Sequence, residues 1–370
     1  MDQHRHKRII ISGGGTGGHI FPAISVANAL RRIAPGIDIL FVGAEGRMEM
    51  ERVPAAGYRI TGLPVEGFHR RLSVRNFAVL FRLIRSLSMA KKIIMEFAPD
   101  VAVGVGGYAS GPILRQAGKM GVPTLIQEQN SFAGITNRLL ARKASVICVA
   151  YDGMEKYFPA QKIIKTGNPV RQNLDDIDKL KDEALSFFGL KKGKQVILVL
   201  GGSLGARTIN KSLSSNLQKM TDSGLQWLWQ TGKYYYDSIK PDVQGEVADL
   251  ITVHGFINRM DYAFAAADII VSRAGAGTIS ELCLVGKPVI LVPSPNVAED
   301  HQTRNAEALT RRNAAILIRD DQALRILVDE VIRLASDPAG KEALSENIRK
   351  MADRNADTKI AEEILKLAEI

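Results

Sequence analysis

The chain has 370 residues, more than twice the ~150 typical of one domain, which predicts two lobes. It is 46% hydrophobic and 24% charged, with 33 glycines and 14 prolines, a globular composition that excludes disordered, collagenous and coiled-coil chains. The net charge of +10 is uneven: residues 1–168 hold 23 Lys and Arg against 11 Asp and Glu, whereas residues 169–370 hold 26 against 28, so one half is built to meet something anionic.

In chain order, the N-terminal MDQHRHKRII carries charge but no hydrophobic stretch. No apolar run approaches the ~18 residues needed to span a bilayer, and this predicts a soluble, cytoplasmic protein. Short β-branched runs then alternate with glycine turns and segments of helical period. Arg8–Ser12 precedes Gly13, Asp38–Val42 precedes Gly43, Asp100–Gly104 precedes Gly106, and Thr124–Gln127 follows. Continuous apolar strands between helices imply a parallel sheet covered on both faces. The segment 68–92, FHRRLSVRNFAVLFRLIRSLSMAKK, interleaves Arg75, Arg82 and Arg85 with Phe77, Leu80, Phe81 and Ile84, a pattern that suits an anionic bilayer surface or a core-packed helix with a basic face.

Thr166-Gly-Asn-Pro-Val-Arg171 marks a boundary, because Asn-Pro cannot continue a helix and Gly167 permits a bend. A charged helix is expected over Asp175 to Leu190. The strand pattern then restarts at Gln195–Leu200, with further strands near Gln226–Gln230, Ile251–Val253, Ile269–Ser272 and Pro288–Val292. RIIISGGGTGGH and QVILVLGGSLGAR read as two tandem Rossmann-like domains, an arrangement that favours a ligand cleft between lobes. Near the end, Ile360, Ile364 and Leu367 form one apolar helical stripe that must pack somewhere. Cys148 and Cys283 are far apart and have no metal-ligand spacing.

Four glycine segments can carry chemistry. Gly13 to His19 follows a strand and opens a helix, so its amides and the helix dipole make an anion site. It also satisfies G-x-G-x-x-G, but no acidic residue ends the second strand, as a dinucleotide site requires. Gly104 to Pro112 is a second such loop, and the two together can grip one diphosphate through Gly14, Gly15, Gly106, Gly107 and Ser110. The others are Gly201 to Arg207 and Ser272 to Glu281. Asp176-Ile-Asp178 is a D-x-D by letter, but it follows the hinge, where acidic residues suit a helix start.

Taken in order, GGGTGGHIFPA, GVGGYASGP, QEQNSFAGITNR, GNPVR, GGSLGAR, SRAGAGTISE and HQTRNA closely resemble the MurG family of peptidoglycan UDP-N-acetylglucosamine transferases over essentially the whole chain. The resemblance implies an α/β GT-B fold, two Rossmann-like domains whose parallel sheets face a central cleft. It implies a first domain, 1–168 joined by the C-terminal helix 357–370, for the lipid-linked acceptor, and a second, 169–356, for the nucleotide sugar. The reaction it implies is inverting transfer of N-acetylglucosamine from UDP-N-acetylglucosamine to the muramoyl C4 hydroxyl of undecaprenyl-diphosphoryl-muramoyl-pentapeptide, lipid I, giving lipid II. No metal or other cofactor is implied. Expected partners are the two substrates, the anionic cytoplasmic face of the cell membrane and other cell-wall synthesis proteins, but no nucleic acid.

By the same resemblance, UDP-N-acetylglucosamine meets Thr16, Gly17, Gly18, Asn130, Arg171, Ser203, Ile257, Ala276, Gly277, Thr278, Ile279, Ser280, Glu281 and Gln302. Ser203 would take phosphate, Ile257 the uracil edge, Glu281 the ribose hydroxyls and Gln302 the sugar hydroxyls. Arg171 alternatively pairs with Asp175 or Asp176 at the hinge. For the base that accepts the acceptor's proton, His19 leads, Glu128 is the rival and Tyr108 is a second-rank candidate behind both. A different glycosyltransferase of the same fold, a dinucleotide oxidoreductase and an RNA-binding protein are the competing readings.

Overall fold

The computed structural model describes residues 6–65, 75–170, 174, 177–202, 204–297 and 300–369, with side chains described outside 75–81. The chain divides into two compact units, Met1–Val170 with Asp353–Ile370, and Arg171–Ala352.

The first unit contains β1 (Arg8–Ser12), α1 (Gly17–Ile33), β2 (Asp38–Ala44), α2 (Glu49–Ala55), β3 (Arg59–Leu63) and α3 (Arg75–Phe97). It continues with β4 (Val101–Gly104), α4 (Ser110–Lys119), β5 (Thr124–Glu128), α5 (Ile135–Leu140), β6 (Val146–Val149) and β7 (Ile163–Lys165). The strands form a parallel sheet in the order β3-β2-β1-β4-β5-β6-β7.

In the second unit, a 3-10 turn at Ile177–Leu180 precedes α6 (Lys181–Phe187), so the expected charged helix is shorter and starts later. There follow β8 (Val196–Leu200), α7 (Arg207–Ser214), α8 (Leu217–Asp222), β9 (Gln226–Gln230), α9 (Lys233–Ile239), β10 (Ile251–His254) and α10 (Met260–Ala266). Then come β11 (Ile269–Ser272), α11 (Ala276–Val285), β12 (Val289–Leu291), α12 (His301–Thr310), β13 (Ile316–Leu317), α13 (Asp320–Ala335) and α14 (Pro338–Arg349). This sheet is also parallel, in the order β10-β9-β8-β11-β12-β13. The final helix, α15 (Ala356–Ala368), belongs to the first unit.

Period-2 alternation explains why the strands are apolar throughout. Ile9 and Ile11 point into one cluster with Val101, Val103 and Leu125, while Ile10 points into the opposite one with Ala102, Ile126 and Ile147. In β8, Ile197 and Val199 face Trp227 and Trp229, and Val196 and Leu198 face the other layer. Each sheet is thus buried on both faces.

The two units share a further device. The backbone N–H of Arg8, at the start of β1, donates to Asp100 Oδ2 at 2.7 Å, and that of Val196, at the start of β8, donates to Asp268 Oδ2 at 2.8 Å. Each aspartate's own N–H returns to the same residue's carbonyl at 2.8 Å. The two strands that flank the change of winding direction are pinned at their amino ends in both halves. Their carboxyl ends are left to loops, where an open α/β sheet binds ligands.

The apolar stripe of α15 packs against α1 and β4, with Ile360 and Ile364 wholly buried. Among the described residues, no helix is long and apolar enough to cross a membrane. Ile364→Ala should cost the first unit about 2–5 kcal/mol. Both tryptophans, Trp227 and Trp229, lie in β9, so fluorescence follows the second unit and should stay put while the circular-dichroism transition moves. A loss below about 1 kcal/mol would show that α15 adds little to that core.

Candidate active site

The four glycine segments all fall at the carboxyl ends of β1, β4, β8 and β11, the strands at the two switch points. In the first unit the two loops interlock. A Cβ at Gly107 would stand 2.3 Å from the Gly14 carbonyl oxygen, and one at Gly106 would stand 2.8 Å from His19 Cδ2 and 2.9 Å from Nε2. Both glycines also have φ near +90°, which L side chains rarely adopt. No other residue permits this approach.

His19 sits in the first turn of α1, half-buried, with Nδ1 at 3.1 Å from the Gly14 carbonyl oxygen and 3.3 Å from Thr16 Oγ1. A carbonyl can only accept, so in the neutral ring Nδ1 carries the proton and Nε2 the lone pair. Nε2 faces the second loop at Gly106. Thr16 and Gly18 are exposed, and Gly17 is half-exposed beside the exposed ring of Phe21. Tyr108 is exposed in the second loop.

Two expected acceptor contacts are already engaged within the protein. Ser110 is buried, and its hydroxyl donates to the Gly107 carbonyl at 2.9 Å, so it braces the loop. The Gly15 N–H donates to Glu49 Oε2 at 3.0 Å. Sequence reasoning missed Glu49, because a glutamate that opens a helix looks like an ordinary complement to the helix dipole.

Both carboxylate oxygens of Glu128 are engaged by the protein itself. The residue is 2% exposed, and its carboxylate accepts from Asn130 N–H at 3.0 Å, Asn130 Nδ2 at 3.2 Å, Gly134 N–H at 3.1 Å and Asn137 Nδ2 at 2.8 Å. Burial pushes its carboxyl above the usual carboxylate range, and the four hydrogen bonds pull the other way. The side chain ties β5 to the start of α5 and orients Asn130. Beside it, buried amides run from Gln127 to Asn168 at 3.0 Å, from Asn168 to the Gln129 carbonyl at 2.9 Å, and from Gln129 to the Val105 carbonyl at 2.6 Å. The Gly-Asn-Pro boundary segment is thereby fastened to the second glycine loop.

In the second unit, the loop after β8 leans on the loop after β9. A Cβ at Gly232 would lie 2.1 Å from the Gly205 nitrogen, and Gly232 has a φ of +84°. Below them Asn210 accepts from Trp229 Nε1 at 3.0 Å and donates to the Thr231 carbonyl at 2.8 Å. Arg273 donates to the carbonyls of Val292 and Pro293 at 3.0 and 3.1 Å, and to Asp320 at 2.5 Å. It locks the ends of β11 and β12 to α13. Neither Asn210 nor Arg273 stands out by sequence.

A pocket of about 770 Å³ joins Gly205 and Ala206 to Arg273, Ser294 and Gln302. Gln302 Oε1 accepts from the Ser294 N–H at 2.9 Å, which fixes the amide's orientation. Ala276, Gly277, Thr278, Ser280 and Glu281 are half-exposed along the first turns of α11. Ile279 and Ile257 are buried in the core, which restricts both to backbone contacts. The Ile257 N–H is taken by Gln230 Oε1 at 2.9 Å, so a ligand at that residue would meet its carbonyl. Phe256, next to it, is exposed.

Of the D-x-D letters, Asp178 accepts from Lys287 Nζ at 2.7 Å, which holds its carboxyl below the usual range, and Asp176 lies outside the described residues. Arg171 and Ser203 also lie outside them, as do the side chains of Arg75, Phe77, Leu80 and Phe81. Further along α3, Ile84 and Arg85 are exposed, whereas Ser86, Ala90 and Ile94 face the core.

Residues 9–149 match the glycosyltransferase family 28 N-terminal domain, and residues 196–364 match the glycosyltransferase family 28 C-terminal domain. The chain is 57% identical over 363 residues to the UDP-N-acetylglucosamine--N-acetylmuramyl-(pentapeptide) pyrophosphoryl-undecaprenol N-acetylglucosamine transferase of Parabacteroides distasonis, covering 98% of this chain and 99% of that one. The protein of the same name from Bacteroides thetaiotaomicron is 58% identical, with 99% of both chains covered. Among solved structures, Acinetobacter baumannii MurG matches with a TM-score of 0.79 at 27% identity over 97% of this chain and 99% of that one. The UDP-GlcNAc 2-epimerase of Neisseria meningitidis, at 14% identity and a TM-score of 0.66 over 97% of this chain and all of that one, shares the fold. With two parallel Rossmann-like units of the GT-B type, this chain belongs to glycosyltransferase family 28 and, within it, to the MurG transferases.

Proposed function

We infer that this protein transfers N-acetylglucosamine from UDP-N-acetylglucosamine to lipid I, forming lipid II for peptidoglycan. The observation that carries this reading is the placement of all four glycine loops at the two sheet switch points, in a chain 57–58% identical over nearly its whole length to transferases of that name.

The acceptor's muramoyl C4 hydroxyl oxygen attacks the anomeric carbon, and the bond from that carbon to UDP breaks with inversion. His19 Nε2 takes the hydroxyl proton; its tautomer already matches that task. Departing UDP carries negative charge on its β-phosphate. The amides that follow Gly201, whose own N–H is taken by the Gln230 carbonyl, and the amino end of α11 stabilise it, without recourse to a metal. Glu281 in α11 holds the ribose diol, and Gln302 and the pocket beside it receive the sugar. Gly14, Gly106 and Gly107 shape the acceptor diphosphate site, to which the basic first half of the chain attracts its ligand. Exposed Arg82, Arg85, Lys91 and Lys92 along α3, with exposed Ile84, suit the anionic headgroups in which a polyprenyl-linked acceptor sits.

The test is a transfer assay with a soluble lipid I analogue. UDP-N-acetylglucosamine should serve and UDP-N-acetylgalactosamine should not, and EDTA should leave the rate unchanged; reversal of either result sinks that part of the reading. His19→Ala should lower kcat on the order of 10² to 10⁴-fold with little change in KM for the nucleotide sugar. The acidic limb of the kcat pH profile should persist in Glu128→Gln and vanish in His19→Ala. The opposite pattern would make Glu128 the base.

A further inference from the structure

A carboxylate that is 1% exposed needs partners, and Glu49 finds two backbone donors outside its own helix. Its Oε2 accepts from Gly15 N–H and its Oε1 from Ala44 N–H, both at 3.0 Å. Two glycines clear the space for it. A Cβ at Gly14 would lie 2.0 Å from Oε1, and one at Gly43 would lie 2.5 Å from Cγ. The side chain therefore bridges the end of β2 to the middle of the first glycine loop. The residue before its Gly15 contact is Gly14, whose carbonyl oxygen faces His19 Nδ1 at 3.1 Å. Rotation of the Gly14–Gly15 peptide would turn this N–H and this carbonyl together, because they belong to one planar unit.

We propose that Glu49 is a positioning residue for the transfer: by holding the Gly15 N–H it fixes the Gly14–Gly15 peptide, whose carbonyl selects the Nδ1–H tautomer of His19 and leaves the lone pair on Nε2. The proposal rests on the reading of His19 as the base. A residue acting only on fold stability would leave the tautomer alone. Glu49→Gln keeps the volume but replaces one acceptor oxygen with an NH2 that faces a backbone N–H, so it weakens the grip on the peptide.

Two measurements decide it. Imidazole ¹⁵N NMR, with the His19 signals assigned by their loss in His19→Ala, should show the Nδ1–H tautomer in the wild type and a shift toward Nε2–H in Glu49→Gln. In the transfer assay, Glu49→Gln should lower kcat about 10²-fold with KM for UDP-N-acetylglucosamine unchanged, and should cost nothing further in a His19→Ala background. If Glu49→Gln does not fold, Glu49→Asp, which keeps the acid but withdraws it by one methylene, takes its place in both. An unchanged tautomer, or losses that add in the double variant, overturns the proposal. A full kcat in His19→Ala alone would instead defeat the base assignment, and the NMR result would still decide what Glu49 does.

Discussion

The approach of Gly107 to the Gly14 backbone, where an added Cβ would have 2.3 Å of room, is the constraint on which the first unit's site depends. A parallel sheet can bring the ends of two adjacent strands side by side, but their loops meet only if side chains are absent. Once they meet, the Gly14 carbonyl can turn to His19, Nε2 can lie against Gly106, and Glu49 can fill the space behind. Glycine is needed here for contact between two segments as much as for backbone freedom.

The second unit repeats the winding order and the aspartate pin at the strand starts, yet it uses the same edge differently. Its loops are held by Asn210 and Arg273 underneath, and its pocket joins a glycine turn to Gln302. Among the described residues, no histidine or glutamate counterpart of the His19 and Glu49 pair enters that pocket's lining. Under the proposed reaction the asymmetry is chemical: a donor phosphate asks for amides and hydrogen bonds, whereas an acceptor hydroxyl asks for a proton acceptor.

Much of this was legible in the sequence because buried parallel strands must be apolar on both faces, which makes runs such as RIII and VILVL readable without periodicity. The short strands β3, β6, β7 and β13 were not read, since Arg59–Leu63 is half-exposed and broken by Gly62 and the others have two to four residues. The glycine loops and His19 were visible because glycine excess beside a strand has few structural uses. For Glu128 the sequence shows a carboxylate but not the four donors that hold it. Nor does the sequence show that the Ser110 hydroxyl and the Gly15 amide are held by Gly107 and Glu49, because a group committed to the protein itself looks identical, by letter, to one that is open.

The central claim is that His19 Nε2, facing the second glycine loop, takes the acceptor's proton. Gly106→Ala tests it most directly, because the added methyl would stand 2.9 Å from that nitrogen while the second unit is untouched. The account predicts a kcat for transfer reduced about as far as in His19→Ala, on the order of 10²-fold or more, with KM for UDP-N-acetylglucosamine preserved. A Gly106→Ala enzyme that turns over at the wild-type rate would contradict it.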